Sequence, residues 1–353
     1  MNVLLTGAFG NIGTSTLDEL LRQGHHVRCF DLPTPANRQA AQTARRLAVG
    51  RVEVLWGDLR RYDDVLAAVE DQEVIIHLAF IIPKLSATGF ESEDHPDWAR
   101  DINVGGTRHL LRAAASRVPS AGSPPRFLFA SSYHIYGRTH DQPPPRTVDD
   151  VPQPIEHYAH HKVECEAMIR ASGLEWAILR LAASLPLAMK MDPGMFDVPL
   201  DNRMEYVHTR DVGLAFANAV ACPEVAGKVL HIGGGPRCQY LYREITGKVL
   251  AGMGLGPLPE DAFTTVPFPT DWLDTAESQR LLAYQRHTLD DYVQDMRAEL
   301  GYRRYLARAF RPLVRTLLLK QSPYYRAGRK GWIYGLIQGW RALKKGPAPV
   351  ELG

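Results

Sequence analysis

Short apolar runs that do not alternate with polar positions recur along the first 235 residues, and segments with apolar positions three and four apart separate them. The runs are NVLLTG, HVRCFD, VEVLWGD, VIIHLA, RFLFASS, EWAILRL and KVLHIGGG. Between them, STLDELLRQG, ANRQAAQTARRL, DDVLAAVED, VGGTRHLLRAAAS and HHKVECEAMIRASG read as helices. A strand that is apolar at successive positions is covered on both faces, and a strand-helix rhythm implies right-handed βαβ crossovers. The expected class is α/β: a doubly wound parallel sheet with helices on both sides.

The rhythm breaks twice. Residues 182–204 are rich in proline, methionine and short polar pieces, and Tyr240 to Leu300 carries helical patterns outside the sheet. The expected organisation is a sheet domain over 1–181, with 205–235 returning to it, and a substrate-binding cap made of 182–204 and 236–300. Such a cap overhangs the carboxyl ends of the strands, where doubly wound sheets leave a crevice for a small-molecule substrate.

Composition adds three bounds. At 353 residues and 45% hydrophobic the chain can bury a substantial core. Cys29, Cys165, Cys222 and Cys238 lack CxxC spacing, and MNVLLTGAFG lacks a charged leader, so a reducing, cytoplasmic setting is expected. No apolar run reaches the ~18 residues of a membrane span, because VIIHLAFIIP contains His77 and ends at Pro83.

The net charge of +2 hides an asymmetry: residues 301–353 hold 12 Lys or Arg against Glu351 alone, so this tail is +11 and the rest −9. There Tyr305, Phe310, Leu313 and Leu317, then Trp332, Leu336, Ile337, Trp340 and Leu343, fall at helical spacing. A basic amphipathic helical tail suits two partners: an anionic membrane, placing the protein at its inner face, or the acidic body of the same chain or of a second subunit in a homodimer. Nucleic acid is not expected, since the arginines lack a reading motif.

Candidate chemistry starts at LTGAFGNIG. Gly7, Gly10 and Gly13 follow a strand and open a helix, where bare backbone amides cradle a diphosphate. Asp31, 18 residues after Gly13, ends the second strand and can accept both adenine-ribose hydroxyls while repelling a 2′-phosphate, so NAD is favoured over NADP. Arg38 is the one nearby cation that favours NADP instead. Asp58, in WGDLR, is placed to meet the adenine amino group or to cap the next helix.

Further on, FLFASSYHIYG leaves Ser131 and Ser132 at a strand tip, and Tyr158 and Lys162 lie four apart on one helix face. An ammonium beside the phenol is expected to lower its pKa from about 10, which suits proton exchange with a carbonyl or alcohol. Ser132 can hydrogen-bond the same oxygen. His134, His157, His160 and His161 lie near in sequence, but no Cys/His spacing completes a zinc site, so no metal is expected. Only His134 is a candidate for substrate contact.

Together TGAFGNIG, Asp31, GDL (57–59), HLA (77–79), NVGGT (103–107), SSYHIYG, YAHHK and YVHTRDVGLAFANA resemble the extended short-chain dehydrogenase/reductase superfamily, the NAD-dependent epimerase/dehydratase family. The resemblance implies a Rossmann fold and a cofactor site of Gly7, Phe9, Gly10, Asn11, Ile12, Gly13, Asp31, Asp58, Leu59, Leu78, Ala79, Tyr158 and Lys162. It also implies a catalytic set of Ser132, Tyr158 and Lys162 supported by Asn103, and a structural Asp211 at a helix head.

Two departures bear on substrate. Arg180 is followed by LAASLP rather than the proline and Asn/Tyr-Gly-Pro segment with which sugar-nucleotide members hold substrate, and Tyr133-His134 replace the Asp-Glu of sugar dehydratases. The expected function is NAD-dependent interconversion of an alcohol and a carbonyl on a small or lipid-like substrate. The alternatives are a nucleotide-sugar epimerase and a dinucleotide-sensing regulator, the latter typically without the tyrosine and lysine.

Overall fold

The computed structural model describes residues 1–48, 50–83, 91–116, 123–186 and 193–325. Strand and helix alternate in the expected order: β1 (Asn2–Thr6), α1 (Asn11–Arg22), β2 (His26–Asp31), α2 (Pro35–Leu47), β3 (Val52–Trp56), α3 (Tyr62–Val69) and β4 (Val74–His77). Then come α4 (Pro96–Arg100), a π-type turn over Asp101–Gly105, α5 (Gly106–Ser116), β5 (Arg126–Ser132), α6 (His157–Arg170) and β6 (Trp176–Leu181). The remaining elements are β7 (Arg203–Glu205), α7 (Thr209–Ala221), β8 (Lys228–Ile232), β9 (Gln239–Leu241), α8 (Tyr242–Gly252), α9 (Ala276–Leu282), α10 (Leu289–Leu300), α11 (Arg303–Ala309) and α12 (Arg311–Leu319).

Seven strands form one parallel sheet in the order β3-β2-β1-β4-β5-β6-β8, and β7 pairs antiparallel with β9 outside it. The order reverses beside β1. Thr6 lies opposite both Phe30 and His77, so the carboxyl ends of β2, β1 and β4 meet where doubly wound sheets bind their ligands.

Unbroken apolar strands arise because both faces are covered. Val3, Leu5 and Cys29 pack under α1 and α7, whereas Leu4, Phe30, Ile75, Phe127 and Phe129 pack under α3, α5 and α6. Helices α1 and α7 approach backbone to backbone: a Cβ on Gly213 would stand 2.5 Å from the Ser15 carbonyl. Asp211, in the first turn of α7, is fully buried and accepts hydrogen bonds from Arg286 N (3.0 Å) and His287 N (2.9 Å). It ties the 286–287 loop to that helix.

A third core gathers Phe196, Met204, Tyr206, Tyr242, Met253, Phe263, Tyr292 and Met296 from beyond β6, with Leu318 of α12 packed into it. Glu205, at the end of β7, is buried there and accepts from Gly235 N (3.0 Å), Leu273 N (2.8 Å) and Gln239 Nε2 (3.1 Å). Burial pushes its carboxyl up to about 7 despite those donors.

Tyr305 lies on α11 and Leu313 and Leu317 on α12, with Phe310 at the break between the two helices; the second amphipathic stretch, Trp332 to Leu343, lies outside the described residues. Among the described residues no helix is long and apolar enough to cross a membrane.

Candidate active site

At the cofactor end, sequence and geometry agree on why glycine is needed. Gly7 has φ +67°, a left-handed conformation, and a Cβ on it would meet Ala79 N at 2.8 Å. A Cβ on Gly13 would stand 2.0 Å from the Gly7 carbonyl oxygen. Helix α1 can start against the turn only without those atoms. Gly10 is its N-cap, no side chain caps it, and its first turn holds no acid, so its amides stay free for an anion.

Asn11 is exposed and Phe9 and Ile12 are half-buried around this turn. Thr6 Oγ1 accepts from Leu78 N and Ala79 N at 3.2 Å, holding the β4 loop against it. These features fit a dinucleotide diphosphate.

Asp31 closes the same end. Its Oδ2 accepts from Phe9 N at 3.0 Å, and its Oδ1 from Leu32 N (2.8 Å) and Asn37 Nδ2 (3.1 Å). Burial raises its carboxyl above the usual range, and the amide bonds pull it back. Each oxygen keeps acceptor capacity for a ribose hydroxyl. Arg38 is turned elsewhere, donating to Pro33 O at 3.1 Å with its guanidinium 5.5 Å from the centre of the Trp56 ring.

Two expected cofactor residues are engaged inside the protein. Asp58 Oδ1 accepts from Arg60 N at 2.9 Å and pairs with the Arg60 guanidinium; it does not cap α3, whose N-cap is Arg61. The turn starts α3 three residues later than the capping reading required. Leu59 is 5% exposed and packs on the helix-side core, where a Cβ on Gly106 would meet it at 2.7 Å.

At the chemical end, β5 delivers Ser132 and α6 delivers Tyr158 and Lys162. Ser132 stands beside the Tyr158 phenol, and its Oγ accepts from His134 N at 3.2 Å. Lys162 is 2% exposed, and its ammonium donates to Ala130 O at 2.6 Å, 3.3 Å from the centre of the Phe80 ring and 5.5 Å from that of Tyr158. Phe80 also meets the Tyr158 ring edge-on at 5.7 Å.

The expected lowering of the phenol is not what the protein produces by itself. Burial raises Tyr158 first, with Ser132 opposing it, and burial brings Lys162 down to about 7. Desolvation in a dry pocket disfavours both charged forms and outweighs the attraction between them.

Positioning residues surround this group, and of them Glu93 is silent in the sequence. Glu93 accepts from His157 N (3.1 Å) and Tyr158 N (3.0 Å), satisfying the amides that open α6. Asn103, fully buried on the π-type turn, accepts from Ile81 N at 2.7 Å and donates to Ile81 O at 3.0 Å, with His161 Nδ1 3.3 Å away. It supports the loop beside Lys162 and does not reach Tyr158 or Ser132 by any described bond. His77 links Thr6 (2.8 Å) to Thr107 (3.0 Å), and burial brings it down to about 3, so the HLA histidine is a neutral strut.

Below the strand tips, Glu166 receives a two-bond grip from Arg180 (3.0 and 2.8 Å), plus Ser131 (2.6 Å) and Arg170 (2.8 Å). Arg180 also reaches the Tyr136 phenol at 2.7 Å. This buried network locks α6 to β5 and β6.

Of the histidines, His134 alone joins the site. Its Nδ1 is 2.8 Å from Glu156 Oε2, and its ring stands edge-on to Tyr158 (6.1 Å) and to Phe268 of the cap (5.5 Å). No group of three metal-ligating side chains occurs among the described residues.

Comparison with known proteins bears on the family and the fold. One relative is a UDP-glucose 4-epimerase of Klebsiella pneumoniae, 34% identical over 145 residues, or 40% of this chain and 95% of that protein. Another is a Mycobacterium tuberculosis 3 beta-hydroxysteroid dehydrogenase/Delta 5-->4-isomerase, 33% identical over 136 residues, 38% of this chain but only 32% of that protein. Among solved structures, UDP-glucose-4-epimerase from Stenotrophomonas maltophila with bound NAD has a TM-score of 0.69 at 22% identity, over 88% of this chain and 99% of that one. Residues 3–185, which span the glycine turn, Ser132, Tyr158 and Lys162, match the NAD dependent epimerase/dehydratase family, and the chain belongs to that family of enzymes.

Proposed function

We propose that the protein uses NAD to interconvert an alcohol and a carbonyl on a lipid-like substrate, with Tyr158 exchanging the proton at the reacting oxygen. The observation that carries this reading is that β5 and α6 bring Ser132, Tyr158 and Lys162 to the carboxyl edge of the sheet, the edge at which the glycine turn follows β1. Gly7, Gly10, Gly13 and Asp31 would hold the dinucleotide, which supplies the hydride acceptor or donor when bound.

In the oxidising direction Tyr158 Oη, as phenolate, takes the hydroxyl proton while Ser132 donates a hydrogen bond to the same oxygen. In the reducing direction Oη returns it. Lys162, brought down to about 7 by burial, exchanges between ammonium and amine near neutral pH beside the phenol, with Phe80 and Phe129 packed over its Nζ.

A lipid-like substrate is supported by how three arginines are used, Arg203 of the cap and Arg146 and Arg180 of the sheet domain. Arg203 is paired with Asp271 (2.6 Å), Arg146 with Asp150 (3.0 Å), and Arg180 with Glu166. These guanidiniums are already neutralised, and Phe268 lines the approach to His134. A nucleotide diphosphate would ask for unmatched cations.

Because the Klebsiella relative is named a 4-epimerase, a second reading is an epimerase, in which hydride is taken and returned to the other face. A panel of lipophilic alcohols and ketones, followed by NADH absorbance, tests the first reading. Net NADH turnover supports it, whereas inversion of a nucleotide sugar without net NADH supports the second. In a binding titration NAD is expected about tenfold tighter than NADP.

A further inference from the structure

Helices α11 and α12 have two unlike faces. Ala307, Val314 and Leu318 turn inward onto the cap core, with Leu318 3% exposed. Tyr302, Tyr305, Leu306, Phe310, Leu313 and Leu317 turn outward and are between 51% and 72% exposed. Their spacing keeps them on one side, past the break where Phe310 leaves helical geometry and Pro312 restarts it. A stripe this long of large apolar side chains is uncommon on a soluble surface and marks a contact site.

Charge selects the occupant. Residues 301–325 contain Arg303, Arg304, Arg308, Arg311, Arg315 and Lys320 and no Asp or Glu. Arg315 is spent on the carbonyls of Leu255, Gly256 and Pro257 (3.0, 3.1 and 2.5 Å), while Arg303, Arg308 and Arg311 are exposed. A second copy of this face would set six cations against six. Residues 326–353, with six Lys or Arg and one Glu, would also bring like charge to like. An anionic surface with an apolar interior answers both the charge and the stripe.

We propose that α11 and α12 form a membrane-docking face that seats on anionic phospholipid. Phe310, Leu313 and Leu317 enter the acyl boundary and the arginines meet the headgroups. Since the inward side of these helices belongs to the cap core, docking brings the cap to the lipid surface.

The test is flotation of the full chain with phosphatidylcholine vesicles, with and without phosphatidylglycerol. Binding is expected only with the anionic lipid and weakens as salt rises. The variant Phe310→Ser/Leu313→Ser/Leu317→Ser, whose sites are all solvent-exposed, is expected to keep its melting temperature and bind at least about tenfold more weakly. A chain ending at Tyr325 is expected to retain binding.

Three results would overturn the proposal: undiminished binding by the triple variant, complete loss of binding on ending at Tyr325, or no vesicle binding by a chain that sediments as a dimer which the triple variant dissociates. Flotation reads no catalysis, so its outcome is separate from that of the redox reading.

Discussion

The two ends of the crevice are built from different materials. The glycine turn is almost all backbone: Gly7 and Gly13 matter for the atoms they lack, and Asp31 is the one charged side chain that holds it. The chemical end is almost all side chain, with Lys162, Glu166, Arg180, Asn103 and His77 buried at 4% exposure or less and each held by named partners. A site of the first kind fails by steric collision, one of the second by leaving a buried charge unmatched. Substitutions at the two ends should therefore fail in different ways.

The largest stability effect is expected from Glu166→Ala, which strands Arg180 in the core without its counter-charge. Breaking such a pair typically costs about 3–5 kcal/mol, read as a drop in the denaturant midpoint. A loss under about 1 kcal/mol would mean that the network does not brace α6.

Gly13→Ala comes next. Its methyl cannot coexist with the Gly7 carbonyl, so α1 must shift, at a cost of about 1–3 kcal/mol and with NAD affinity falling further than stability. A titration showing wild-type affinity would break the comparison at its backbone end.

Asp31→Asn keeps the shape and removes the charge. NAD affinity is expected to fall about tenfold, near 1.4 kcal/mol, and the gap to NADP to close. An unchanged ratio of the two affinities would remove Asp31 from cofactor choice.

A pH-dependent effect belongs to Glu205, away from both ends. Its folded carboxyl titrates at about 7 against an ordinary 4.5, so the folded protein holds a proton that the unfolded chain releases. The stability it contributes is full below about pH 4.5 and is lost as pH rises through about 7. The melting-temperature advantage of wild type over Glu205→Gln should shrink across that window, and a constant difference would contradict the raised carboxyl.

How legible each part was follows from the same contrast. The strand-helix alternation, the glycine turn, Asp31, Ser132 and the Tyr158-Lys162 pair were visible because their signals are local: apolar period, spacing within one turn or along one helix face. Glu166 looks in sequence like any charge on a helix and Glu93 and Arg180 like scattered polar residues, whereas Asn103 stands out only through the NVGGT resemblance. The partners that place them in the site, Arg180 for Glu166, Tyr158 for Glu93 and Ile81 for Asn103, lie 14, 65 and 22 positions away, and no local period encodes that.

Asp58 was misplaced as a cap because a helix start can slide by a turn without altering the apolar pattern. The phenol was expected to be acidic because a spacing of four reports proximity but not dryness, and burial governs here.

The central claim is that Tyr158 moves the proton. Single-turnover hydride transfer, measured with a substrate found in the panel at saturating NAD for wild type and Tyr158→Phe, tests it most directly. The account predicts a rate lower by about 10²–10⁴-fold with NAD affinity within about twofold of wild type. An undiminished rate, at the same affinity, would contradict it.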